Sequence, residues 1–87
     1  MVIERYKDRD AVAVYRRAKE RGRMLPEGLT YIDSWVETNY DRCYQLMQTD
    51  NESLFAQWTR SWSDLVDFEI VPVVTSAEAS ARVAPSS

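Results

Sequence analysis

The sequence contains no histidine and a single cysteine, Cys43. Histidine is the side chain that titrates near neutral pH and the commonest metal ligand. Its absence removes Ser-His-Asp and Cys-His nucleophilic machinery, histidine-ligated haem and ordinary zinc sites built from this chain alone. One cysteine forms neither an internal disulfide nor a multi-thiolate centre, and it fits a reducing compartment. Glycine is scarce, with two residues, and no glycine-rich phosphate loop occurs. No apolar run reaches the length of a membrane span, and no basic-then-apolar leader with a small-residue cleavage site opens the given residues. The expectation is a cytoplasmic protein with no metal, no cofactor and no membrane partner. Any catalysis would fall to carboxylates, tyrosines or Cys43.

What is present is the composition of one small globular domain: 87 residues, 45% hydrophobic, 29% charged and 11% aromatic. A domain of this size buries a smaller share of its surface than a larger one, so a stabilising partner is expected from the outset. The net charge of -3 hides an asymmetry, because residues 1–23 carry eight Lys and Arg against four Asp and Glu while the remainder carries three against ten. The basic set Arg16, Arg17, Lys19, Arg21 and Arg23 lies opposite an apolar stripe with Arg16 and Glu20 at i,i+4, and reads as a solvated helix face. With the rest of the chain acidic, no nucleic-acid partner is expected.

Residues 1–7 begin directly in a strand-like run, as though the start were clipped, with Asp8 and Asp10 as candidate helix caps. Ala11, Val14, Tyr15 and Ala18 recur at helical spacing, predicting a helix from Ala11 to about Arg21 that Gly22 or Pro26 stops. Leu29–Thr38 and Arg42–Gln48 alternate and are rich in β-branched and aromatic residues, with turn chemistry at Asn39-Tyr40-Asp41. Thr49 and Glu52 form a capping-box pattern ahead of Phe55, Trp58, Trp62 and Leu65, an aromatic stripe on a second helix. Phe68–Thr75 reads as a last strand placed at a sheet edge by Pro72. Residues 76–87 are small and polar and read as a flexible Ala/Ser-rich tail outside the domain of residues 1–75.

The order strand, helix, strand, strand, helix, strand predicts an α+β fold of the ferredoxin-like βαββαβ kind: a four-stranded antiparallel sheet with two helices on one face. The later strands hold large apolar groups on both faces, Ile32 and Val36 against Tyr31 and Trp35, and Leu46 against Met47. An apolar open face predicts a homodimer packed sheet to sheet, a dimeric α+β barrel.

The stretches MVIERYKDRDAVAVYRR, GRMLPEGLTYIDSWVE, RCYQLMQTD, LFAQWTRSWSDL and DFEIVPVV together resemble a bacterial family known as domain of unknown function 3303, over about residues 1–75. That family is similar to the dimeric α+β barrel group. The resemblance implies the barrel and the dimer, and it supplies no reaction and no catalytic residue. The wider group includes cofactor-free monooxygenases, lactone isomerases and haem enzymes, with substrates between sheet and helices or inside the barrel. This is likeness of fold alone, and the missing axial histidine sets the chain apart from the haem enzymes.

On the second strand, Tyr31, Asp33, Trp35 and Glu37 are expected on one face, opposite Ile32, Ser34 and Val36. Cys43, Gln45 and Met47 are expected to continue that face on the third strand, forming a mixed wall for a small, partly apolar ligand inside the barrel. Glu4 and Arg5 point to opposite sides of the first strand, so one of them enters the protein and needs a partner or a shifted pKa. In one reading Asp33 or Glu4 is a desolvated base, with Trp35 and Met47 holding an apolar substrate. The preferred reading is an ion pair of Glu4 or Asp33 with Arg5 or Arg42. Asp33 and Glu37 lie about 13 Å apart along a strand and are no acid/base pair within one subunit. Cys43 reads as a packed residue, and Trp58 and Trp62 as core. The sequence therefore points to a homodimeric barrel binding a small, partly apolar molecule. A cofactor-free isomerase or monooxygenase-like enzyme and a ligand-free structural module are the alternatives.

Overall fold

The computed structural model describes residues 1–83. Strand β1 (Val2–Tyr6) runs through a single 3-10 turn at Lys7–Arg9 into helix α1 (Ala11–Arg21). The Asp10 carboxylate accepts from the Ala13 N–H at 3.1 Å, so the expected cap forms. At the other end the Gly22 N–H donates to the Ala18 carbonyl at 2.8 Å. Gly22 has φ 66° and ψ -160°, a combination nearly confined to glycine, and the chain turns sharply there.

Strands β2 (Thr30–Val36) and β3 (Arg42–Gln48) form the hairpin, followed by α2 (Ser53–Thr59), β4 (Val66–Ile70) and α3 (Ser76–Val83). The sheet has the order β2-β3-β1-β4 with every pairing antiparallel, the arrangement that the βαββαβ order demands. Both α1 and α2 cover the same face. Val14 of α1 and Trp58 of α2 are buried in one core with Val2, Tyr6, Cys43, Met47 and Val66 from the strands. Trp62 joins them from the turns that follow α2, so the expected core role of both tryptophans holds.

Several elements differ from expectation for identifiable reasons. The capping box at Thr49 does not form: Thr49 Oγ1 accepts from Asn51 N–H, and Asn51 Oδ1 takes the Ser53 N–H, so local turns replace the reciprocal cap. Helix α2 therefore starts at Ser53 and stops at Thr59, and tight turns carry the chain through residues 60–65. The last strand begins at Val66 and leaves the ladder after Ile70, ahead of Pro72, which has no N–H to offer. One further pair, Val71 with Met1, extends that edge. Residues 76–83 of the expected tail form a helix, α3, whose start is capped by Thr75 Oγ1 accepting from Glu78 N–H. Residues 84–87 of that tail lie outside the described residues. Helix α3 buries no residue, and with it the radius of gyration is 15.1 Å, where a compact chain of this length has about 12 Å.

Candidate functional site

Which side chains share a face is decided by register. Directly opposite residues in the hairpin are Val36 and Cys43, Trp35 and Tyr44, Ser34 and Gln45, and Asp33 and Leu46. Cys43, Gln45 and Met47 therefore lie on the helix side with Val36 and Ser34, and not with Asp33 and Trp35 as expected. A β-bulge at Ile32 adds a second correction: the register slips between Tyr31 and Asp33, Tyr31 turns to the helix side opposite Met47, and Ile32 is left half exposed. Asp33 and Trp35 do face the open side, together with Arg5, Arg42, Tyr44 and Leu46.

The expected wall thus splits in two. Glu4, Tyr31, Cys43, Gln45 and Met47 face the helices, while Arg5, Asp33 and Trp35 face away. Glu4, Cys43 and Gln45 meet at a cavity of ≈ 320 Å³ between sheet and helices. Met47 is packed in the core beside it without lining it. Tyr31 lies outside its lining too, with its ring beneath the Arg23 guanidinium, 3.6 Å from the ring centre, and its hydroxyl 2.6 Å from Ser34 Oγ.

Alternation along β1 turns Val2, Glu4 and Tyr6 inward, which makes Glu4 the one buried carboxylate among the described residues, 5% exposed. Its Oε1 accepts from Gln45 Nε2, a diagonal neighbour across the β1–β3 ladder. The expected ion pair is absent: no described cation lies in salt-bridge contact with Glu4, and the Asp33 carboxylate accepts from the Ser34 N–H instead. Burial raises the Glu4 pKa to about 7, against the lesser opposing effects of the Gln45 hydrogen bond and the Arg23 charge. Burial is also the main cause that raises the Cys43 thiol to about 11, with the Glu4 charge adding to it, so Cys43 is held as the thiol at neutral pH. The Tyr6 phenol is raised as well, mainly by burial.

Sequence reading did not single out the helix-side walls. Val14, Tyr15 and Ala18 of α1, with Gly22 and Arg23 beyond it, line the cavity together with Trp58 and Trp62. The Arg23 carbonyl accepts from both indoles, Trp58 Nε1 at 2.9 Å and Trp62 Nε1 at 3.1 Å, and so ties the end of α1 to the aromatic cluster. Tyr6 was discoverable, since it shares the inward face of Glu4 two residues on. Arg23 carried no such signal, because it closes a run of charges that reads as solvated surface. A polar edge in an aromatic cavity can orient a small molecule, and a carboxyl with a pKa near 7 can give or take a proton at neutral pH.

This architecture is that of an α+β protein with ferredoxin-like topology and a partly polar cavity under its helices. The chain belongs to the family described as Domain of unknown function (DUF3303), which matches residues 1–87, including the segment expected to lie outside it. No curated protein and no solved structure matches the chain. Among the described residues, no helix is long and apolar enough to cross a membrane, and no group of His, Cys, Asp and Glu side chains is placed to hold a metal ion.

Proposed function

We propose that the protein is a homodimer joined through its open sheet face that binds a small, partly apolar molecule under the helices of each subunit. The observation that carries the binding reading is the buried Glu4–Gln45 pair at the edge of an otherwise largely apolar and aromatic cavity. A carboxyl with no salt-bridge partner is a costly core residue, and a ligand-orienting role accounts for it. The site proposed differs from the expected barrel interior because Glu4, Cys43 and Gln45 face the helices. A cytoplasmic location, supported by the single unpaired cysteine, belongs to the same proposal.

A second reading is favoured by the raised pKa of Glu4: a cofactor-free enzyme of the isomerase or monooxygenase-like kind, in which Glu4 is the general base. Both readings need the cavity to accept a molecule. A fragment library screened by two-dimensional NMR tests this, with saturable shifts expected at Tyr6, Cys43, Gln45 and the Trp58 and Trp62 indoles. Shifts confined to the open sheet face, or none at all, would overturn the cavity as a binding site.

A further inference from the structure

The polar edge of the cavity is incompletely paired. Gln45 donates through Nε2 to Glu4 Oε1, which fixes the plane of its amide, and its own Oε1 is buried with no donor from any described residue. Gln45 is 8% exposed and lines the cavity, as does Glu4 beside it. A buried acceptor left without a donor is an uncompensated loss, and a molecule that brings an O–H or N–H to it recovers that loss. The charge of such a molecule is constrained from both sides. An anion would be set against the Glu4 carboxylate; a cation would be drawn to Glu4 but opposed by the Arg23 charge that already acts on that carboxyl, and either would lose its water on entering. Trp58, Trp62 and Tyr15 supply broad aromatic walls, and the volume lies at the small end of the range for small-molecule sites, which suits one or two rings.

We infer that the cavity selects an uncharged ring compound bearing a hydroxyl or N–H donor, and that Gln45 Oε1 accepts this donor beside Glu4. The inference rests on the cavity being a binding site as proposed above, and it adds the chemical class of the occupant. Gln45 is then a specificity residue: apolar walls hold the ring, and the amide oxygen separates donors from otherwise identical molecules that lack one.

The test compares probes of one shape on the full chain at about pH 8, where Glu4 is ionised: 2-naphthol, 2-methoxynaphthalene, 2-naphthoate and the ammonium form of 2-naphthylmethylamine. Binding is read from the Trp58 and Trp62 indole signals and the Gln45 side-chain amide in NMR titrations. The expected result is saturable binding of 2-naphthol with the methyl ether bound about tenfold or more weakly. In Gln45→Met, of similar size, that preference is expected to fall about tenfold; a preference kept in full would assign the acceptor to the Glu4 carboxylate and overturn the role of Gln45. Equal affinity of naphthol and ether overturns the inference and leaves the cavity reading standing. Tighter binding of the carboxylate or the ammonium overturns it in the same way. No shift at the cavity signals with any probe overturns both. If Gln45→Met fails to fold, the Gln45 side-chain amide of the unaltered chain decides: it is expected to shift with the naphthol and not with the ether, and equal shifts with both overturn the inference.

Discussion

Glu4 is the residue on which stability and the proposed function oppose each other. Its folded pKa of about 7 stands above the ordinary carboxyl value of 4.5, so the folded chain holds the proton more tightly than the unfolded chain. Between those values the folded state binds more protons, and stability falls as pH rises; above about 7 the penalty is complete. Glu4→Gln keeps an acceptor for Gln45 Nε2 and removes the charge. It is expected to be more stable than the parent by on the order of 2 to 3 kcal/mol at about pH 8 and equal to it below about pH 4. Urea unfolding across that range measures it, and a constant difference at every pH would show that the Glu4 charge is not the cause. Asp64 acts in the opposite sense. Its two oxygens accept from Arg17 at 2.6 Å each, holding the carboxyl at about 2, so the stability it adds is present above its ordinary value of 3.8 and is lost as pH falls toward 2.

At the scale of elements, the junction after α1 organises the site. Gly22 sets the turn, and the carbonyl of the next residue, Arg23, receives both indole N–H groups. A methyl group added at Gly22 would meet no atom within 4 Å, so Gly22→Ala isolates backbone conformation from crowding. The substitution is expected to destabilise by about 1–3 kcal/mol, because the observed φ and ψ disfavour any side chain. It is also expected to shift the tryptophan emission to the red as the indoles lose their common acceptor. Unchanged stability and emission would mean that the turn readily adopts another shape. Helix α1 was legible from its apolar period, and of the candidate caps and stops the structure uses Asp10 and Gly22. Helix α2 was not, because competing side-chain bonds at Thr49, Asn51 and Ser53 displaced the cap that the pattern suggested.

For the whole molecule, the proposed dimer rests on the open face. It carries Trp35, 52% exposed, beside Tyr44 and Leu46, with Arg5 and Arg42 on the central strands and Asp67 and Glu69 on the β4 edge. Basic and acidic groups on neighbouring strands allow a two-fold pairing in which the arginines of one copy meet the carboxylates of the other. The expected outcome is a dimer in sedimentation across dilution and a monomer for Trp35→Lys, with the circular dichroism of the subunit unchanged. A parent chain that is monomeric at every concentration would overturn the dimer.

Residue periodicity and connectivity by themselves determined the βαββαβ order, the approximate extent of α1 and the inward aromatic cluster, because each depends on neighbours along the chain, and composition alone removed histidine chemistry. They also placed Asp33 and Trp35 on the face away from the helices. Only the tertiary structure decided which side Cys43, Gln45 and Met47 take, since a one-residue change of hairpin register moves every side chain of a strand to the other face. The bulge at Ile32, which turns Tyr31 inward, is a tertiary decision of the same kind. So is the partner of Glu4: charge alone favours an arginine, but the β1–β3 register places Arg5 and Arg42 together on the open face and leaves the Gln45 amide as the group within reach.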